Sequence, residues 1–186
     1  MSNNTANHTS TRREDWCTPP DLFAKLSRVH DFAIDLCAST ENSLCLHWVT
    51  GGIDLMSPRA DKFVREVVEI SSSPRSYAWI NPPYRGHGGT GLFVARAAEL
   101  CLANNLGLVA LVPASVGSRW WRECVDPFFD FVIFTPRLRF AGAPATAQFD
   151  SAICVMRTID ELGRGPDPVH AELGALYRRI HACAND

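Results

Sequence analysis

Apolar residues occur in two patterns that alternate along the chain. In the first pattern they form short continuous runs, typical of buried strands, at residues 31–38, 77–80, 106–114, 128–136 and 149–157. In the second they recur every three or four residues, which indicates helices, at residues 17–30, 58–70, 91–105, 118–126 and 168–183. Strands that alternate with helices predict an α/β fold, in which helices cover both faces of a mostly parallel sheet.

The remaining segments are short or polar. Residues 39–50 fit a short helix, and residues 51–56 fit a turn that leads into a short strand or bridge. Thr18 can cap the first helix, because prolines follow it in the first turn. Residues 1–13 are rich in Ser, Thr and Asn, so we expect a disordered tail before a single compact domain over residues 14–186.

The composition is that of a globular protein, with 46% hydrophobic and 20% charged residues. No apolar run reaches the roughly 18 residues that span a bilayer, and residues 1–10 lack the apolar core of a signal peptide. The seven cysteines form no C-x-x-C pair, so we expect reduced thiols in a cytoplasmic protein. Cys37, Cys45 and His47 lack a clear fourth ligand for zinc, and we predict no metal site.

The sequence Asn81-Pro82-Pro83-Tyr84 directly follows the predicted strand at residues 77–80. Proline cannot donate to a strand ladder, so the strand is expected to end there, at the edge of the sheet where ligands usually bind. Asn81 offers a side-chain oxygen as an acceptor, Pro82 offers a carbonyl, and Tyr84 offers a flat ring. Two fixed acceptors beside an aromatic ring suit a planar substrate with an exocyclic amino group.

This motif resembles the catalytic motif of methyltransferases that methylate amino groups with S-adenosylmethionine. The wider pattern resembles phage-type DNA N6-adenine methyltransferases of the Dam-like group. The segments that carry the resemblance are, in chain order, DWCTPPDLFAKL, FAIDLCASTEN, DLM, WINPPY, LVALVPAS and RLRFAG. The resemblance implies a Rossmann-like class I methyltransferase fold, S-adenosylmethionine as the cofactor, double-stranded DNA as the partner, and a phage or prophage product in a bacterial host.

The resemblance also implies a mechanism for the motif. The target adenine would be flipped out of the duplex and its ring would stack on Tyr84. The hydrogens on N6 would be accepted by the Asn81 side-chain oxygen and the Pro82 carbonyl, while Pro83 stiffens the turn. The nitrogen lone pair would then face the methyl donor, so the transfer would need no covalent enzyme intermediate.

The same resemblance implies a cofactor site and a DNA-binding surface. The expected cofactor-binding residues are Trp16, Thr18, Pro19, Asp35 and Asp54. The glycine-rich loop usual after the first strand of such enzymes is replaced here by DLCASTEN, and no long inserted domain is present for recognition of a DNA sequence. We therefore expect DNA contacts from loops near the site, with Arg85, Arg119, Arg137 and Arg139 as the candidates.

Two alternatives remain open at this stage. The same motif could methylate another planar amino group, on an RNA base or a protein glutamine. The missing glycine-rich loop is also compatible with a catalytically decayed module that only binds nucleic acid or cofactor.

Overall fold

The computed structural model of the protein describes residues 16–49, 54–71, 73, 75–84 and 89–162. The predicted tail at residues 1–13, the predicted helix at residues 168–183 and Arg85 lie outside the described residues.

Within these residues the chain forms helices and strands in alternation. The helices are α1 (Pro20–Leu26), α2 (Pro58–Ile70), α3 (Gly89–Ala103), α4 (Arg119–Cys124) and α5 (Ile159–Leu162). The strands are β1 (Asp31–Asp35), β2 (His47–Trp48), β3 (Ser76–Ile80), β4 (Gly107–Pro113), β5 (Phe131–Thr135) and β6 (Ser151–Met156). The five strands predicted from the apolar pattern are confirmed as β1, β3, β4, β5 and β6, and the first four predicted helices are confirmed as α1 to α4. Their ends differ from the predicted ends by a few residues.

The described strands form one sheet in the order β2-β1-β3-β4-β6-β5. The pairs β1–β2, β1–β3 and β3–β4 are parallel, whereas β6 runs antiparallel to both β4 and β5. The predicted α/β fold is thus confirmed, and its parallel core is consistent with a Rossmann-like methyltransferase. Because β5 runs in the same direction as β4, the carboxyl ends of β1, β3, β4 and β5 all lie at one edge of the sheet.

Alternate residues of the central strands pack on opposite faces of the sheet. On one face, Ala78 and Ile80 of β3 belong to a core cluster that includes buried residues of α2, α3 and α4. On the other face, Tyr77 and Trp79 pack in a second cluster with α1 and Phe140. Helices therefore cover both faces, as the continuous apolar strands predicted. No described helix has both the length and the apolar character needed to cross a membrane.

Three local predictions were wrong. Residues 51–56 were predicted to lead into a short strand or bridge, but the described residues 54–56 form a turn in which the Asp54 side chain accepts from the Met56 amide. The predicted helix at residues 39–50 is instead a turn followed by the edge strand β2, because the Asn42 side chain accepts from the Ser39 amide at 2.6 Å and β2 pairs with β1. Thr18 does not cap α1, since Pro19 occupies the N-cap position without any side-chain capping bond. The Thr18 hydroxyl is bonded elsewhere, to the side chain of Asn81.

Gly107 allows a close contact that a side chain would prevent. A Cβ atom added there would overlap the ring of Tyr77, which is 3% exposed and donates its hydroxyl to Glu161 at 2.7 Å. We expect Gly107→Ala to lower the free energy of unfolding by about 1–3 kcal/mol, because the buried Tyr77 ring, bonded to Glu161 through its hydroxyl, cannot move aside for the added methyl group without a loss of packing. Urea denaturation followed by circular dichroism measures the change.

The matched control is Gly117→Ala, where an added Cβ atom meets nothing within 4 Å. This variant should change the free energy of unfolding by less than about 0.5 kcal/mol. Equal effects of the two substitutions would contradict the assigned packing of Tyr77 against Gly107.

Candidate active site

A cleft of about 490 Å³ opens at the carboxyl ends of β1 and β3. The two strands are in register with Asp35 opposite Trp79, so the chain segments that follow them begin side by side. The sequence-predicted site residues that line the cleft are Trp16, Thr18, Asp35, Asp54, Asn81, Pro82 and Pro83. The fold thus brings together residues that are far apart in the sequence, at the sheet edge where the strand-end motif predicted a site.

The Asn81 side chain is held by hydrogen bonds on both sides of its amide. Its nitrogen donates to the backbone carbonyl of Trp16 at 2.5 Å and to the Thr18 hydroxyl at 3.1 Å. Its oxygen accepts from the Tyr84 hydroxyl at 2.9 Å. The opposite amide orientation would place two oxygens face to face at Trp16, so these partners fix which atom is the oxygen. The oxygen retains a second lone pair for another donor.

Tyr84 does not line the cleft but lies beside it, half-buried. Its hydroxyl lies 2.9 Å from the Asn81 oxygen and 3.5 Å from the backbone carbonyl of Leu111 in β4. Burial raises the pKa of this hydroxyl above its usual range, so the group stays protonated and acts as a donor. The Tyr84 hydroxyl therefore binds the Asn81 side-chain oxygen directly, which connects this residue to the site.

An aromatic cluster formed by Trp16, Tyr84, Phe140 and Phe149 borders the Asn81 side chain. The Trp16 ring lies 5.1 Å from that of Phe140 and 5.5 Å from that of Phe149, measured between ring centroids. The Tyr84 ring meets the same two phenylalanines edge to face, at 6.0 and 5.5 Å. Edge-to-face contacts of this kind favour fixed ring positions. Sequence reasoning missed Phe149, whose only signal was its place just before β6.

A short bridge attaches the segment around Trp16 to the loop that carries Phe140. The Ala141 amide donates to the Cys17 carbonyl at 2.9 Å, and the two residues form an isolated antiparallel pair. The loop is closed further on by the Ala147 amide, which donates to the Leu138 carbonyl at 2.8 Å. Two segments more than 100 residues apart thus form one wall beside the cleft.

Asp35 is a buried carboxylate at the end of β1, with 2% of its surface exposed. Its two oxygens accept from the backbone amides of Cys37 at 3.1 Å and Leu44 at 3.4 Å. Burial nevertheless dominates and raises the pKa of Asp35 to about 6. The Asp35 carboxylate therefore holds both ends of the loop from Cys37 to Leu44, which replaces the usual glycine-rich loop. A cationic ligand beside Asp35 would stabilise the charged form of this carboxylate.

The loop from Cys37 to Leu44 supplies lining residues that the sequence did not single out. Ser39, Asn42 and Leu44 border the cleft, together with Phe93 of α3. Burial, with a smaller contribution from the Asp35 charge, raises the pKa of Cys37 to about 12, so its thiol stays protonated. The loop offers backbone and hydroxyl groups rather than a reactive thiolate.

Two other predicted cofactor residues have different positions. Asp54 belongs to the chain segment between β2 and α2, is exposed and lines the cleft. Its side chain accepts from the Met56 amide at 2.9 Å. Pro19 is not among the residues that line the cleft and begins α1 instead. Asp54 is therefore placed where it can contact a ligand in the cleft, whereas Pro19 is not.

The described arginine candidates for DNA binding lie on segments that follow β4 and β5. Arg119 begins α4 and pairs with Glu123 at 2.6 Å, while Arg137 pairs with Asp150 at 3.6 Å. Arg139 donates to the Ala143 carbonyl at 3.3 Å. All three are exposed, so these contacts leave them accessible to an anionic partner. They share the edge of the sheet with the cleft, but none of them lines it.

Comparison with known proteins gives one family. The family model described as DNA N-6-adenine-methyltransferase (Dam) matches residues 5–161. The matched region includes the cleft, the Asn81-Pro82-Pro83-Tyr84 motif and the loop that carries Phe140. No curated protein sequence matches the chain.

The raised pKa of Asp35 predicts a pH-dependent stability. Because the folded protein binds this proton more tightly than the unfolded chain, the free energy of unfolding should fall as pH rises from the ordinary pKa of 3.8 towards about 6. The shift corresponds to a loss of up to about 3 kcal/mol. Urea denaturation across this pH range, compared with Asp35→Asn, isolates the contribution, because the variant cannot titrate. Parallel pH profiles of the two proteins would contradict it.

Proposed function

Because the chain belongs to the DNA N-6-adenine-methyltransferase family, we propose that it transfers the methyl group of S-adenosylmethionine to N6 of an adenine flipped out of double-stranded DNA. The observation that carries this proposal is the Asn81 amide, whose oxygen is available as an acceptor beside the cleft while its nitrogen is fully bonded to the protein. An amino group is the kind of substrate that such an oxygen binds.

The size and lining of the cleft fit S-adenosylmethionine. Its volume of about 490 Å³ falls within the range of roughly 300–1,000 Å³ found for small-molecule sites. Asp35 provides a carboxylate for the cationic amino group, and Phe93 and Trp16 provide apolar surface. Asp54 provides an exposed carboxylate for the ribose hydroxyls or the adenine amine. When bound, S-adenosylmethionine supplies a methyl group on a positively charged sulfur.

The residues of the motif then position the acceptor nitrogen. Asn81 accepts one N6 hydrogen through the second lone pair of its oxygen, and the Pro82 carbonyl accepts the other. These bonds draw the nitrogen lone pair out of conjugation with the ring, so that it can form the bond to the methyl carbon as the carbon–sulfur bond breaks. The electron pair of the broken bond would leave with the sulfur, and N6 would afterwards lose a proton to solvent. Positioning of this kind can contribute up to ~7–11 kcal/mol in favourable systems.

The target adenine itself stacks on Tyr84 in this proposal. The hydroxyl of Tyr84 bonds to Asn81, which ties the orientation of its ring to the acceptor atom. Phe140 and Phe149 support the ring edge to face, and Trp16 packs against both. Stacking on an aromatic side chain contributes about 1–3 kcal/mol per base, which offsets part of the cost of unstacking the adenine from the duplex.

The exposed arginines at the same sheet edge are the proposed phosphate contacts. Arg119, Arg137 and Arg139 are solvent-accessible, and phosphate contacts hold a duplex in place without reading its sequence. Arg85 follows Tyr84 directly in the sequence, and we retain it as a further candidate.

Asn81→Ala tests the catalytic assignment. We expect the rate of methyl transfer to duplex DNA to fall by a factor on the order of 10²–10³, because the acceptor for the developing charge is removed. The dissociation constant of S-adenosylmethionine, measured by calorimetry, should stay within about threefold, a difference below 1 kcal/mol. Asn104→Ala is the matched control, since that amide bonds to the Leu100 carbonyl at the end of α3. Loss of cofactor binding with an unchanged rate at saturation would contradict the role.

Arg139→Ala tests the DNA-binding surface. We expect the affinity for a labelled duplex to fall by about 2- to 10-fold, and the slope of its salt dependence to fall by about one, because one phosphate contact is lost. Fluorescence anisotropy at several salt concentrations measures both quantities. The control is Arg65→Ala, an exposed residue of α2 on the opposite face of the sheet. Equal effects of the two variants would exclude Arg139 as a specific phosphate contact.

A further inference from the structure

Both hydrogens of the Asn81 amide are used within the protein. One partner is the Trp16 carbonyl, an atom that can only accept, and the other is the hydroxyl of Thr18. Asn81 and its two partners are separated by 65 and 63 positions in the sequence, so only the fold brings them together. Thr18 is 7% exposed, and its hydroxyl caps no helix.

These hydrogen bonds determine whether the oxygen or the nitrogen of the Asn81 amide faces the substrate. An asparagine amide can offer a substrate either its oxygen or its nitrogen, and free rotation would make it a donor as readily as an acceptor. With both hydrogens bonded to Trp16 and Thr18, rotation of the amide would reverse the bond to the Thr18 hydroxyl and would oppose the amide oxygen to the Trp16 carbonyl oxygen, which can only accept. Only the oxygen is then available, and it suits an amino group and disfavours a carbonyl group at the same position.

We infer that Thr18 is a positioning residue, whose hydroxyl, together with the Trp16 carbonyl, fixes the Asn81 amide so that only its oxygen faces the substrate. The inference rests on the proposed function of the site and adds to it the reason why the pocket accepts a base with an exocyclic amino group. Thr18 was assigned to the cofactor site from the sequence. In this inference Thr18 acts instead on Asn81, the residue whose oxygen accepts a hydrogen bond from the substrate amino group.

Two substitutions at one position separate the hydroxyl from the shape of the side chain. Thr18→Val keeps the branched shape in the buried position and removes the hydroxyl, whereas Thr18→Ser keeps the hydroxyl. The single-turnover rate at saturating S-adenosylmethionine should fall about 5- to 20-fold in Thr18→Val, because one of the two bonds that hold the amide is lost. It should stay within about twofold of the original protein in Thr18→Ser. The dissociation constant of the cofactor should change by less than about threefold in both variants.

A readout independent of activity comes from nuclear magnetic resonance. The side-chain NH₂ signals of Asn81 are assigned by their disappearance in Asn81→Ala. We expect these signals to shift in Thr18→Val and to keep their positions in Thr18→Ser, because only the first variant removes a bonded partner of the NH₂ group.

Three results would overturn the inference. The first is a loss of cofactor affinity greater than about tenfold in Thr18→Val with a normal rate at saturation, which identifies Thr18 as a cofactor ligand. The second is an equal loss of rate in both variants, which assigns the effect to packing. The third is unchanged Asn81 signals in Thr18→Val. If the original protein transfers no methyl group to DNA while those signals still respond to Thr18→Val, the proposed function fails, whereas the hydrogen bond that fixes the amide is confirmed.

Discussion

The site depends on the interruption of the β3 hydrogen-bond ladder by two consecutive prolines. Strand β3 pairs with β1 up to Trp79 and with β4 up to Ile80, and Pro82 and Pro83 cannot donate to either neighbour. The chain therefore leaves the sheet at Asn81, at the edge where β1 also ends in Asp35. This break frees the Asn81 side chain to bond with Trp16 and Thr18, and it places the cleft between the segments that follow the two strands.

The rest of the fold keeps that edge fixed. Strand β3 is buried at every position, and its alternate residues belong to the two core clusters on opposite faces of the sheet. A displacement of β3 would therefore disturb the packing of α1 on one face and of α3 on the other. The motif is held by a rigid scaffold, which is what a mechanism based on positioning requires.

Much of the fold follows from the apolar pattern, because buried strands and amphipathic helices are local signals. The site at the end of β3 was also predictable, since the proline pair marks the strand end and the loop at once. Strand β2 was not predictable: it has two residues, and its pairing with β1 rather than its own composition defines it. The hydrogen bond between Asn81 and Thr18 was missed for a similar reason. A Thr before two prolines indicates a helix cap, whereas its bond to Asn81 exists only after the chain has folded.

The proposed function is tested most directly by the transfer of a radiolabelled methyl group from S-adenosylmethionine to unmethylated duplex DNA, followed by nucleoside analysis. We expect the label to be recovered as N6-methyladenine. Label on cytosine, or label on RNA or protein with none on DNA, would contradict the proposed substrate. Absence of both transfer and cofactor binding would contradict the proposed chemistry and favour a module that has lost its catalytic function.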